Sequence, residues 1–189
     1  MTTTQIVVTV IVVLAVAALA GIGWFVARRR ALQQRFGPEY DRAVAEQESR
    51  TAAERELRER ERKHAALELK DLSPDAQQRY TAEWEDVQAR FVEAPEEAVR
   101  AADELVLRLI TERGYPAENY EEQLAHLSVE HARTLGHYRD AHEIYLENER
   151  GEASTERLRQ ALVHYRALFA DLLGTTPESP NRAVPHTQR

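Results

Sequence analysis

The chain of 189 residues has no cysteine, a single methionine, seven glycines and seven prolines, and aromatic residues make up only 7% of it. Without cysteine there can be no disulfide, no thiolate metal site and no cysteine nucleophile, and the composition fits a reducing compartment. Lysine is nearly missing as well: of 25 basic side chains only Lys63 and Lys70 are lysines. Acidic residues number 32, which leaves a formal net charge of −7. Nucleic acid needs a basic surface to neutralise its phosphates, so it is not an expected partner. There is no P-loop, no G-x-G-x-x-G and no G-x-S-x-G, so mononucleotide, dinucleotide and serine-hydrolase chemistries have no sequence support. Strand-like alternation is absent between Leu72 and Leu173, which points to an all-α fold.

What stands out instead is an uncharged stretch, IVVTVIVVLAVAALAGIGWFVA, from Ile6 to Ala27. As a helix its 22 residues cover roughly 33 Å. That matches a hydrocarbon core of about 30 Å, inside which a single span must be helical to satisfy its own backbone. Trp24 and Phe25 sit near one end, where aromatic rings favour the interface. Arg28, Arg29, Arg30 and Arg35 follow at once, whereas the preceding residues 1–5 carry no charged side chain. The positive-inside rule then places the N-terminus outside and the remainder in the cytoplasm, with these four arginines at the lipid surface. A rival reading is a secretory signal cleaved after Ala18-Leu19-Ala20, giving a secreted or extracytoplasmic protein. Against it stand the missing basic n-region, the apolar run beyond the cut, and arginines on the wrong flank.

Phe36-Gly37-Pro38 should end that helix and close a basic juxtamembrane segment, 28–38. Residues 39–71 then read as one long charged connector helix, rich in helix formers and free of glycine and proline. Glu54 to Arg58, Glu56 to Arg60 and Glu59 to Lys63 are favourably oriented i,i+4 pairs. Its apolar residues Tyr40, Val44, Leu57 and Leu67 form no continuous heptad seam. The expectation is a solvated spacer holding the next domain roughly 45 Å from the membrane, with a weak coiled-coil homodimer through the connector as the alternative.

Residues 72–173 read as a small antiparallel helical bundle. Ser73-Pro74-Asp75 is a helix start, and Ala76, Tyr80, Trp84, Val87 and Phe91 share one face behind it. Pro95 opens a more apolar helix through Ile110, and Gly114 with Tyr115-Pro116 forms a turn. Asn119 caps a short exposed helix through His126, Ser128 begins the next, and Gly136 permits close helix approach. Gly151 and Ser154 separate that helix from a last one, which carries Leu158, Leu162, Tyr165, Phe169 and Leu172 and is closed by Gly174. Residues 174–189 have three prolines and little hydrophobicity, and are expected to be a disordered tail.

At ITERGYPAENYEE, LSVEHARTLGHYRDAH and NERGEASTERLRQALVHYRALF the chain resembles a group of uncharacterised single-span membrane proteins of actinobacteria, some of them labelled secreted. The similarity runs from the membrane segment through Leu173. It implies an anchor plus a helical domain of unknown function, and it carries no catalytic residue across. Members often have proline where this chain has Ala132, which leaves the start of that helix open.

Five histidines, His126, His131, His137, His142 and His164, fall in the bundle. Within one helix metal ligands meet at three- or four-residue spacing, and 131, 137 and 142 are separated by six and five. His142-Glu143 lacks the second histidine of HExxH, and Glu122 with His126 supplies only two ligands. No metal and no cofactor is therefore assigned from sequence. Ser73, Ser128 and Ser154 read as caps rather than nucleophiles. Tyr115, Pro116, Glu118 and Tyr120 make the one loop that suggests a partner contact. The resulting expectation is a membrane-anchored helical interaction or scaffold module, non-enzymatic, whose partners are the lipid bilayer and another protein. An enzyme assembled from scattered residues such as Glu104, Tyr138 and His142 is the alternative.

Overall fold

The computed structural model describes residues 3–117 and 119–174, with side chains from Val12 onward, and every regular element among them is a helix. Helix α1 runs from Thr3 to Phe36. Its stretch Val12–Phe36, with a mean hydropathy of 1.7, is the one helix among the described residues long and apolar enough to cross a membrane. The apolar side chains from Val12 to Val26 are exposed, as a lipid-facing surface requires, whereas Leu32 and Phe36 are buried by protein. The exposed apolar run of α1 therefore ends just before Arg28. Gly37 breaks the helix with φ of 47°, in the left-handed region, and Pro38 starts the next one at its first position.

The segment expected as one connector helix is two. Helix α2, Pro38–Glu46, ends at Gln47 in an extended conformation, and α3, Arg50–His64, begins beyond Ser49. The Ser49 hydroxyl accepts from the Ala52 amide at 3.2 Å, a cap embedded in a run of helix formers. Folding back on itself lets Tyr40 and Ala43 of α2 and Ala53 and Leu57 of α3 close over Leu32 and Phe36 of α1, with Val129 completing a small second core. Each fully buried residue of Leu57 or Phe36 size contributes about 1.5–3 kcal/mol. The segment is therefore packed against the rest of the molecule rather than a solvated spacer, and Tyr40 and Leu57 are unavailable to a connector dimer. Of the expected ion pairs, Glu54–Arg58 and Glu56–Arg60 form, but Glu59 meets Arg62 instead of Lys63.

Residues 65–73 cross to the main bundle in irregular conformation. Lys70 donates its amide to the Arg113 carbonyl at 2.9 Å. There the chain passes so close to Gly114, whose φ is 93°, that a Cβ on that glycine would sit 2.6 Å from the Glu68 carbonyl oxygen. The bundle consists of α4 (Pro74–Arg90), α5 (Pro95–Glu112), α6 (Tyr120–Glu130), α7 (Ala132–Glu149) and α8 (Thr155–Leu173). Ser73, Asn119 and Ser154 each accept a backbone N–H two or three residues into the helix they cap, and Gly174 closes α8 in the left-handed conformation. Helices α7 and α8 pack side by side, α5 lies on α8 and α4 on α5. The main core centres on Leu105, Leu109, Leu135, Tyr138, Tyr165 and Leu168, and Trp84 stacks on Phe169 with ring centroids 4.8 Å apart.

Two local expectations change. Ser128 does not start a helix: it lies inside α6, where its hydroxyl donates to the Ala125 carbonyl, and the break falls at His131. His126 is buried, so α6 is no exposed appendage. Gly136 mediates no close packing, since a Cβ there would meet nothing within 4 Å. Of the expected tail, residues 175–189 lie outside the described residues, as do Met1 and Thr2.

Candidate functional site

The four arginines that follow the apolar stretch differ in what they contact. Arg28 and Arg30 are exposed, and the Arg28 guanidinium lies over the Trp24 ring at 5.0 Å from its centroid. A cation held against an indole at the end of an apolar helix suits a headgroup-level position. Arg29, half-buried, and Arg35, still exposed, reach the acidic side of α3: Arg29 Nε is 3.7 Å from Glu54 Oε1 and Arg35 is 3.4 Å from Glu61. Glu54 also takes the Tyr40 hydroxyl at 3.0 Å and a nitrogen of Arg58 at 3.0 Å. These contacts, with the second core beneath them, fasten the base of α1 to α2 and α3.

A second clamp reaches the bundle. Glu39 of α2 is 4% exposed and receives two guanidinium nitrogens of Arg139 on α7, at 2.5 and 2.7 Å. This bidentate geometry is the strongest form of the carboxylate–guanidinium pair. Beside it opens a cleft of about 310 Å³ between α2, α3, α6 and α7, lined by Arg42, Arg60, Tyr120, Arg139 and His142 among others. Tyr120 and His142 stack with centroids 4.2 Å apart, and burial raises the Tyr120 hydroxyl to about 12. The guanidinium groups are already paired, Arg42 with Glu46, Arg60 with Glu56 and Arg139 with Glu39. The cleft thus offers mixed charge and aromatic surface rather than a single-sign anion pocket.

Behind the cleft, Asp103 of α5 is buried, accepts the Tyr165 hydroxyl at 2.7 Å and lies 3.7 Å from His142 Nδ1. Burial, then the charge of Asp103, pushes the Tyr165 and Tyr138 hydroxyls upward, so both stay protonated, and Tyr138 donates to Gln123 at 2.9 Å. His142 and Tyr138 are therefore neighbours, with ring centroids 6.4 Å apart. Glu104 is exposed, and the carboxylate beside His142 is that of the preceding residue, Asp103.

A relay of side chains, buried at Tyr115 and His131 and open to solvent at Glu130, ties the two cores together. The His131 Nδ1 is 2.9 Å from Asp171 on α8, its Nε2 is 3.2 Å from the Tyr115 hydroxyl, and that hydroxyl lies 3.3 Å from Glu130, which in turn faces His64 of α3 at 3.3 Å. The hydrogen bond from His64 holds the Glu130 carboxyl down at about 2, against the opposing effect of its partial burial. Burial alone would raise Asp171, but hydrogen bonds and charge from His131, with Thr134 donating at 2.7 Å, leave it below its usual value. One tyrosine hydroxyl can donate to only one neighbour, so His131 and Glu130 compete for the Tyr115 proton. The chemistry available here is proton sharing that fixes α3, the 113–117 turn, α6 and α8 to one another.

The loop expected to receive a partner is accordingly divided. Tyr115 is 2% exposed and belongs to the relay, Pro116 is half-buried, Tyr120 forms a wall of the cleft, and Glu118 lies outside the described residues. Glu61 and His64 of α3 face different partners, Arg35 and Glu130. No family model, no curated protein and no solved structure matches the chain. A further group, His137 and Asp140 on α7 with His164 on α8, brings three potential ligand atoms within 4.8 Å of one another. Sequence spacing misses it because His164 comes from a different helix. The visible signal is only His137-x-x-Asp140, one turn apart.

Proposed function

We propose that this chain is a single-pass, membrane-anchored helical interaction module, with its N-terminus outside and its bundle in the cytoplasm, which presents the cleft between α2, α3, α6 and α7 to a protein partner. The observation that carries this reading is the passage of α1 from an exposed apolar stretch, Val12 to Val26, directly into a protein core at Leu32 and Phe36. An anchor built this way confines the bundle to the bilayer surface, and confinement raises the effective concentration of nearby partners, so a contact of modest affinity becomes occupied. The mixed charge and the Tyr120–His142 stack suit a polar protein segment with an apolar or aromatic anchor. Arg28 and Arg30 are the arginines left for the headgroups.

Proximity labelling from an enzyme fused to the C-terminus tests both halves of the proposal. The expected result is labelling of cytoplasmic and inner-face proteins, with specific neighbours lost on Tyr120→Ala/His142→Ala substitution. Labelling confined to extracytoplasmic proteins, or a mature polypeptide starting at Gly21, overturns the topology. An unchanged set of neighbours in the double variant overturns the cleft as the docking site.

A further inference from the structure

We propose that His137 and Asp140 of α7, together with His164 of α8, form a divalent transition-metal site of the two-imidazole, one-carboxylate kind, with zinc the ion it fits best. The Nδ1 atoms of His137 and His164 point at each other across 3.0 Å, their rings 5.1 Å apart at 31°. Two imidazole nitrogens bound to one tetrahedral zinc at 2.0–2.1 Å sit about 3.3 Å apart, so to admit the ion the pair opens by about 0.3 Å and each ring turns by roughly 35°, bringing the two lone pairs together at a point beside the N–N line. Asp140 stands one turn along α7 from His137, and its carboxylate is exposed. One of its oxygens already lies within 4.8 Å of a ring nitrogen of each histidine.

The scaffold is the α7–α8 pair, whose packing buries Leu135, Ala141, Leu158, Ala161 and Leu168 between or beside the helices and fixes the two histidines in register. The nearby cation Arg157 is engaged by Glu147 through bonds of 3.0 and 2.6 Å, which offsets its repulsion of an incoming ion. Two nitrogens and one oxygen are borderline donors suited to zinc, and three protein ligands leave a fourth position for water.

Zinc chloride is titrated calorimetrically into the full chain in detergent micelles, after chelator treatment and with thermal melts confirming that each variant is folded. His137, Asp140 and His164 have at least partly exposed side chains, so their loss leaves the core intact. The expected result is one equivalent bound per chain, weakened at least tenfold by His137→Ala or His164→Ala and less by Asp140→Asn, while His186→Ala leaves it unchanged. No saturable binding below about 100 μM zinc, or binding retained in His137→Ala/His164→Ala, overturns the site.

Discussion

The Glu39–Arg139 clamp is the contact whose removal most directly tests the packing of α2 onto the bundle. Replacing Arg139 by methionine keeps much of its aliphatic stem but deletes both charged hydrogen bonds, leaving the 4% exposed Glu39 carboxylate without its counter-ion. Removing one partner of a buried pair costs about 3–5 kcal/mol. The Arg139 side chain retains 16% of its exposure, and some solvent screening places the expected loss at the lower end, about 3 kcal/mol. In Arg139→Met/Glu39→Gln the stranded charge is gone and only polar satisfaction is imperfect, so the double variant should lose about 1 kcal/mol. Urea unfolding at 25 °C in detergent micelles, followed by far-UV circular dichroism, supplies the cycle. A drop in Tm of very roughly 6–12 °C accompanies the single substitution in a chain of this size. Equal losses in the single and double variants, or a single-variant loss under about 1 kcal/mol as for a surface pair, would refute the idea that this carboxylate is buried and held.

Gly114→Ala should destabilise by about 2–4 kcal/mol, because alanine is strained at φ of 93° and its Cβ meets the Glu68 carbonyl at 2.6 Å. Gly136→Ala, with open space and helical backbone, should stabilise by about 0.5–1 kcal/mol, so thermal melts of like sign for the two would contradict this account. Tyr165→Phe strips the buried Asp103 of its 2.7 Å donor and should cost about 1.5–3 kcal/mol; a change within about 0.5 kcal/mol would show that the carboxylate is satisfied elsewhere. Glu130, with its carboxyl lowered from 4.5 to about 2, binds fewer protons folded than unfolded. Its contribution is complete above pH 4.5 and is lost as pH falls through about 2. Glu130→Gln should therefore flatten the acid limb of Tm against pH between those values, and parallel limbs would count against the His64 contact.

Most helix boundaries of the bundle were legible from a cap, a proline or a glycine, with Ser128, which lies inside α6, the exception. Ser73, Pro95, Asn119, Ser154 and Gly174 all mark real ends, because a capping side chain or a left-handed residue acts locally, whatever the tertiary surroundings. The break at Gln47–Ser49 was hidden because neighbouring propensities favour a continuous helix and only long-range burial opposes them. One clue lay in phase: at 100° per residue, Tyr40 and Leu57 in an unbroken helix point about 100° apart, yet both enter one core. The break at His131 is likewise non-local, since its ring is drawn between Asp171 and Tyr115. The relay and the His137–His164 pair join residues 15 to 40 positions apart or more, and depend on helix register that no spacing rule within one helix supplies. Tyr115 was visible as unusual but not as buried, because burial comes from α3 folding over the turn.

The continuity of α1 beyond its arginines gives the molecule a lever. From Ala27 to Phe36 the helix extends about 13 Å without a joint, and its far end is gripped by Tyr40, Ala43 and Leu57. A 10° change in tilt, of the size that bilayer thickness or a neighbouring helix imposes, swings that end by about 2 Å. With α1 seated in a bilayer as proposed, that displacement would reach the walls of the Tyr120–His142 cleft through Glu39 and Arg139, gearing the shape of the recess to the tilt of the anchor.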